Sequence, residues 1–291
     1  MKTLHKKAMS VAAVALLSGL ACSSVFAEEA AAAAEAPEVS PITANVTVVN
    51  DYRYRGISQS NFKPAIQGGF DYAHESGFYI GNWNSSISWV SDNATNAGVK
   101  PVSAPIEMDF YGGFKKEFFG EGFASDLGVL QYVYPTSGLT TTANMVNPNT
   151  TEIYAAQNFT VGPLTGFVKF SYAVSTLFGN VNSTGSYYPD LTMNYDTGFW
   201  GLAVNGHIGY QYVAGNQSTA GSYNSILSNS TLYSYTDWKL GVTKDFGGGL
   251  SAAIAYVGTN APTVQGSYSY VNPQGKNLGK STGLISLTKT F

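Results

Sequence analysis

From Ile42 to the C-terminus, large apolar residues alternate with small or polar ones, the period-two pattern of an extended strand. Over residues 191–196, Leu191, Met193 and Tyr195 oppose Thr192, Asn194 and Asp196. Over 199–213, Trp200, Leu202, Val204, Ile208, Tyr210 and Tyr212 face one way; Gly201, Ala203, Asn205, His207, Gly209 and Gln211 face the other. Over 233–245, Trp238, Leu240 and Val242 oppose Tyr235, Asp237, Lys239 and Asp245. No stretch has a sustained helical period. Counted along the chain, twelve candidate strands begin near Ile42, Pro64, Gly77, Ile106, Phe123, Thr151, Thr165, Tyr187, Phe199, Leu232, Leu250 and Gly279. The fifth, Phe123 to Tyr134, is the least regular, because both of its faces carry apolar residues.

The connections sort by length. Every second one is short: 74–76, 118–122, 162–164, 196–198 and 247–249. Those between are mostly longer and polar: 56–63, 91–105, 135–150, 177–186, 214–231 and 260–278. Strict alternation with an even strand count predicts an all-β, transmembrane, antiparallel up-and-down barrel of about 12 strands, with both termini and the short turns on the periplasmic side. Outer-membrane lipid is then the solvent of the outer face. Tyr52, Tyr54, Tyr72, Trp89, Phe110, Trp200, Tyr212 and Trp238 are expected on that face near strand ends, as an aromatic girdle. Gly283, Ile285, Leu287, Lys289 and Phe291 form one row of the last strand. A terminal aromatic on such a row resembles the signal read by the barrel assembly machinery, an expected partner.

The N-terminus changes the picture by adding export. Lys2, Lys6 and Lys7 precede an apolar run from Ala8 to Ala21, and Val25-Phe26-Ala27 has the small residues of a cleavage site. The run is too short for a membrane span. Residues 1–27 are read as a cleaved signal peptide, 28–41 as an Ala/Glu/Pro-rich periplasmic linker and 42–291 as the barrel. The alternative, a lipid anchor on Cys22, wants Leu one place earlier than Leu20. Cleavage removes the only Cys and three lysines, which excludes disulfides and thiolate metal sites and leaves a mildly acidic chain without a nucleic-acid signature. Charged residues make up only 11% of the chain, against a usual value of about 25%, which suits a surface not wholly in water.

The stretches 51–60 (DYRYRGISQS), 64–72 (PAIQGGFDY), 126–135 (DLGVLQYVYP), 236–256 (TDWKLGVTKDFGGGLSAAIAY) and 286–291 (SLTKTF), in that order, resemble the TorF-type porin family. The resemblance covers the chain from about Asn45 to Phe291. It implies a Gram-negative outer-membrane barrel with a transport role, and neither a substrate nor site residues.

Strand parity then assigns the lumen. With Tyr52 and Tyr54 towards lipid, Asp51, Arg53 and Arg55 face inward near the extracellular end of the first strand, since Arg at the lipid midplane costs about 2–4 kcal/mol. The remaining expected pore-lining residues are Asp71, Glu107, Asp109, Lys115, Glu152, Lys169, His207, Asp237, Lys239 and Asp245, with Glu75, Asp126, Asp190 and Asp196 on the same faces. This set predicts a narrow, mostly acidic lumen with a basic patch at its mouth, passing ions or small solutes. The bland alternative is that the charges brace the wall. At the level of function, the rival is a barrel without transport, an adhesin or scaffold acting through its loops. Catalysis is not expected: the mature histidines are His74 and His207, and the nearest lipid-facing serine to His74, Ser85, lies roughly 23 Å up the wall. No cofactor or metal is expected, because no His/Asp/Glu cluster has ligand spacing. Gly247-Gly248-Gly249 reads as a turn, without the Lys-Ser/Thr of a phosphate loop.

Overall fold

The computed structural model describes residues 40–99, 102–141, 145–218 and 226–291. The expected signal peptide and all but the last two residues of the expected linker lie outside these.

Twelve wall strands follow in chain order: β1 (Ile42–Val49), β2 (Ala65–Ala73), β3 (Phe78–Ser86), β4 (Ile106–Glu117), β5 (Phe123–Val133) and β6 (Thr150–Val161). The second half is β7 (Leu164–Ala173), β8 (Tyr187–Asp196), β9 (Leu202–Gln211), β10 (Tyr235–Asp245), β11 (Leu250–Thr259) and β12 (Thr282–Thr290). Each pairs antiparallel with its neighbours in sequence, and β12 pairs with β1 from Asn45↔Thr290 to Val49↔Ser286, so the sheet closes. Every strand starts within three residues of its expected position. Closure leaves no unpaired edge, which a sheet in hydrocarbon requires.

The burial pattern is inverted relative to a soluble sandwich. Leu240 and Ile254 are 64% and 62% exposed, and most other outward apolar residues of the alternating rows are exposed too. Glu107 and Glu152, pointing inward, are each 1% exposed. Phe110, Trp200, Trp238 and Tyr72 lie on the outer face as expected, and Phe170, Tyr187 and Tyr212 stack into an outer ladder at 5.6 and 4.7 Å. Both ends of the described barrel, 40–44 and Phe291, sit beside the short turns: the Phe291 N–H donates to Ala44 and the Ala73 N–H to Pro41.

Inside, one packing device recurs. A tyrosine lies flat across a glycine of the adjacent strand and donates to an aspartate one strand further. Tyr111 of β4 crosses Gly81 of β3 to reach Asp71 of β2 at 2.5 Å. Tyr188 of β8 crosses Gly209 of β9 to Asp237 of β10 at 2.7 Å. Tyr79 of β3 crosses Gly113 of β4 to Asp126 of β5 at 2.6 Å, where it also meets the Tyr154 hydroxyl. A Cβ would stand 2.4 Å from the Tyr111 ring at Gly81 and 2.1 Å from the Tyr188 oxygen at Gly209. The bare glycines are therefore the floor on which these rings lie.

Two short helices, α1 (Trp89–Asn96) and α2 (Asn229–Tyr233), break the expectation of none. Both lie in long connections, on the same end of the barrel.

Candidate functional site

The first strand stops at Val49, not at Arg55. Residues 50–63 leave the wall and fold inward as a strap across the mouth at the long-loop end. Its core is a two-stranded hairpin, Arg53–Tyr54 against Ile57–Ser58, joined by Arg55-Gly56. Both turn residues have positive φ, 45° and 76°, as a two-residue turn of the I′ kind demands. Gly at the second position is the favoured choice there; Arg at the first is not. The return leg also holds Asn61 and Phe62 at positive φ.

Asp51 organises the strap from within. Its Oδ2 accepts Arg53 Nε at 2.6 Å, while its Oδ1 accepts the Ser58 and Ser60 hydroxyls at 2.6 and 3.3 Å. Arg53 Nη1 then donates to the carbonyls of Gly56, Leu278 and Lys280, at 2.9, 2.9 and 3.1 Å. Two charges expected in an aqueous lumen are instead a staple that shapes the hairpin and ties it to the connection before β12. The Ser58 N–H to Leu278 oxygen bond, 3.0 Å, reinforces that tie.

The other side chains reach the wall. Tyr52 donates to Glu107 Oε1 on β4 at 2.7 Å and packs edge-on to Trp83 of β3. Tyr54 meets Tyr132 of β5, oxygen to oxygen at 2.5 Å. Arg55 spans furthest: Nη2 donates to both oxygens of Glu152 on β6, at 3.0 and 2.8 Å, and Nη1 to Gln211 Oε1 on β9 at 2.5 Å. Its guanidinium lies 4.1 Å over the Tyr188 ring and 4.9 Å from that of Tyr54, a cation between two π faces. Gly56 abuts the remaining wall, where a Cβ would meet Thr259 at 2.4 Å and Asp237 at 2.9 Å.

The expected lipid-facing positions of Tyr52, Tyr54 and Trp89 are corrected accordingly. Tyr52 is 1% exposed inside the mouth. Trp89 belongs to α1 and packs on Tyr134 and Phe178, whose ring also touches Tyr54 and Tyr132. These rings form one apolar layer over the strap. Parity failed there because the chain had already left the sheet, and alternation in a hairpin refers to different surroundings. The later connection around Tyr270 and Leu278 folds inward too, with Leu278 against Ile57 and Tyr270 against Tyr235.

Asp109, on the inward row of β4, is 2% exposed, and its carbonyl accepts Asn82 Nδ2 at 2.9 Å. Below the strap, Lys169 and Asp190 pair at 3.7 Å. His207 contacts Asp237 at 3.0 Å, Tyr188 at 2.9 Å and Thr192 at 2.9 Å. Lys115 stands opposite Asp126, and Lys239 opposite His207, in the strand register. Asp196 and Asp245 do something simpler, accepting the Gly198 and Gly247 N–H groups to cap short turns, and Glu75 is exposed in the first of those turns. Among the described residues no cluster of three or more His, Cys, Asp or Glu is arranged to hold a metal ion. The partners that sequence reasoning missed are neutral: Tyr132, Tyr188, Gln211 and Trp83. Their signal was inward parity, joined for Trp83 and Tyr188 by a glycine on a neighbouring strand, Gly69 and Gly209, that only the register reveals.

No curated protein matches the chain by sequence. Among solved structures, the chain is similar to the KdgM porin, with 7% identity over 86% of this chain and 98% of that one, and a TM-score of 0.47. It is also similar to OccAB1 of Acinetobacter baumannii, with 9% identity, coverages of 88% and 66% and a TM-score of 0.42. OprD of Pseudomonas aeruginosa gives 10% identity, coverages of 87% and 67% and a TM-score of 0.40. The sequence profile of the family described as "Bacterial protein of unknown function (Gcw_chp)" matches residues 31–291, and the chain belongs to that family.

Proposed function

We propose that the protein is a porin-like channel of the bacterial outer membrane, carrying ions or small solutes by diffusion. The observation that carries this reading is the inverted barrel: exposed Leu240, Ile254 and Ile285 outside, and Lys169, Asp190, His207 and Asp237 inside. Such a wall is stable with its outer face in hydrocarbon, and a closed barrel has no other use for a charged interior than water, solute or bracing. The export signal expected over residues 1–27, the outward apolar row of β12 and the resemblance to the TorF-type porins support the same location. Twelve strands give an interior wider than the side-chain-filled eight-strand kind and narrower than the 16-strand general porins, which favours small permeants. Asp71, Asp126 and Asp237 each accept a tyrosine hydroxyl, and Asp190 faces Lys169, so the acidic excess of the wall is muted. We expect a weak cation preference.

One observation favours the non-transporting reading. At the strap, Glu107, Glu152 and Asp109 are 1%, 1% and 2% exposed, so this layer of the mouth has no water path along them. Conductance of the refolded protein in a planar bilayer under a salt gradient separates the two. Discrete steps with a cation-directed reversal potential support the channel. A folded barrel that gives no steps under any treatment that displaces the strap supports the scaffold.

A further inference from the structure

We infer that the strap is a gate: residues 50–63 close the mouth as a preformed hairpin and open it by releasing one far-wall latch, the Arg55–Glu152 pair. The inference rests on the channel reading above and adds the element that regulates it.

The Gln59 carbonyl of the strap accepts the Ser88 and Trp89 N–H groups at the start of α1, at 2.9 and 3.1 Å, so the strap moves together with that turn. The other polar contacts of the strap include two groups that differ in kind. One group is internal or ties the strap to the connection before β12. It comprises Asp51 with Arg53, Ser58 and Ser60, and Arg53 with the carbonyls of Gly56, Leu278 and Lys280. These bonds need not break for the hairpin to tilt out of the lumen with its neighbouring connection. The other group crosses the lumen, and it consists of side chains only: Tyr52 to Glu107, Tyr54 to Tyr132, and Arg55 to Glu152 and Gln211. A barrel strand is bound by a ladder of backbone bonds, whereas this far side can be let go one side chain at a time. Within that group, Arg55–Glu152 is the one ion pair from strap to far wall among the described residues.

Backbone geometry points to the same residue. Arg55 occupies a left-handed position (φ 45°) for which Asn or Gly is the ordinary choice, and such strain gathers at functional elements. The hairpin would form more easily with Asn there. What only Arg supplies is reach: from the turn apex it places one guanidinium against Glu152, Gln211 and the Tyr188 ring together. Both partners of the pair are dry, with side chains 6% and 1% exposed. Removing either one leaves the other buried and uncompensated, a state relieved by swinging the strap into water.

The test uses single-channel recording of the full-length refolded protein and four variants: Arg55→Asn, Glu152→Gln, their double mutant, and a chain with residues 51–62 replaced by a short Gly-Ser linker. Heat-modifiable gel mobility confirms that each barrel is folded. Arg55→Asn keeps the turn favourable and removes the latch together with the contacts to Gln211 and the Tyr188 ring, whereas Glu152→Gln removes the ion pair alone. Each single variant is expected to raise open probability at least tenfold over the natural chain, equivalent to about 1.4 kcal/mol on the closed–open equilibrium. The double mutant, having no unpaired buried charge, is expected to open less than either single one. The linker variant stands open. If the linker variant conducts while the two single variants behave as the natural chain, the latch is overturned and the channel survives. If the linker variant is silent as well, the channel reading falls and takes the gate with it. Steady, full conductance of the natural chain overturns the gate alone.

Discussion

At the scale of single residues, the interior is decided by what glycine leaves out. Tyr188 can bridge from β8 to Asp237 on β10 because Gly209 between them has no side chain, and the same ring is the face on which Arg55 rests. A methyl at Gly209 would stand 2.1 Å from the Tyr188 oxygen, so the ring must leave its site. Gly209→Ala is therefore expected to cost about 1–3 kcal/mol in urea unfolding of the barrel in micelles. Gly206→Ala, three residues earlier on β9 with nothing within 4 Å of its missing Cβ, is expected to change little. Equal midpoints for the two would show that Tyr188 is not held by close packing. Of Tyr188 and Gly209, only Gly209 was visible in the sequence, on the polar face of its strand. Their partnership was not, because it runs across three strands and depends on register.

At the scale of elements, the strap is too small to fold alone. Two cross-strand pairs fall short of the three strands or supporting surface that a hairpin needs in water. Its order comes from Asp51, a buried carboxylate holding Arg53, Ser58 and Ser60, and charge-assisted bonds of this kind are the strong ones. Asp51→Ala is expected to loosen the hairpin without opening the wall. Amide exchange would then speed up at Gln59, bonded to Tyr52 at 2.8 Å, and at Ser58, bonded to Leu278 at 3.0 Å, while the β6 and β10 amides stay protected. Unchanged exchange at Gln59 and Ser58 would mean that the hairpin is held by the wall alone. Sequence alternation through Asp51–Arg55 was real, but it described a hairpin within the mouth. Arg55-Gly56, with glycine where a type I′ turn wants it, was the local clue that the strand had ended.

For the whole molecule, the governing fact is which side of the sheet meets which solvent. Ile254 of β11 pairs with Ile285 on β12 and Val242 on β10, in the middle of the outward apolar rows. Ile254→Arg puts a cation on that face, at a cost of about 2–4 kcal/mol near the bilayer midplane. It is expected to lower the folded yield in lipid vesicles sharply, read as loss of the fast-migrating gel band. Folding at the natural yield would argue that this face does not meet lipid. Short turns gathered at one end and long connections at the other then let the strap, α1 and the 260–281 connection share the same mouth.

The barrel is legible in the sequence because its cause is local. Period-two alternation recurs along twelve strands, with turn-forming residues at the five short breaks, and each recurrence is an independent witness to the same wall. Strand starts accordingly fell within three residues of expectation. The mouth was not legible, because its cause is contact between residues far apart in the chain: Arg55 with Glu152, 97 positions on, and with Gln211, 156 positions on. Arginine and carboxylate on inward faces are compatible with a charged aqueous pore and with a dry latch. Which of the two forms depends on whether the chain between β1 and β2 folds into the barrel or away from it, and only the assembled wall, with Tyr188 laid over Gly209 and Glu152 aimed across the lumen, makes the inward fold the stable one.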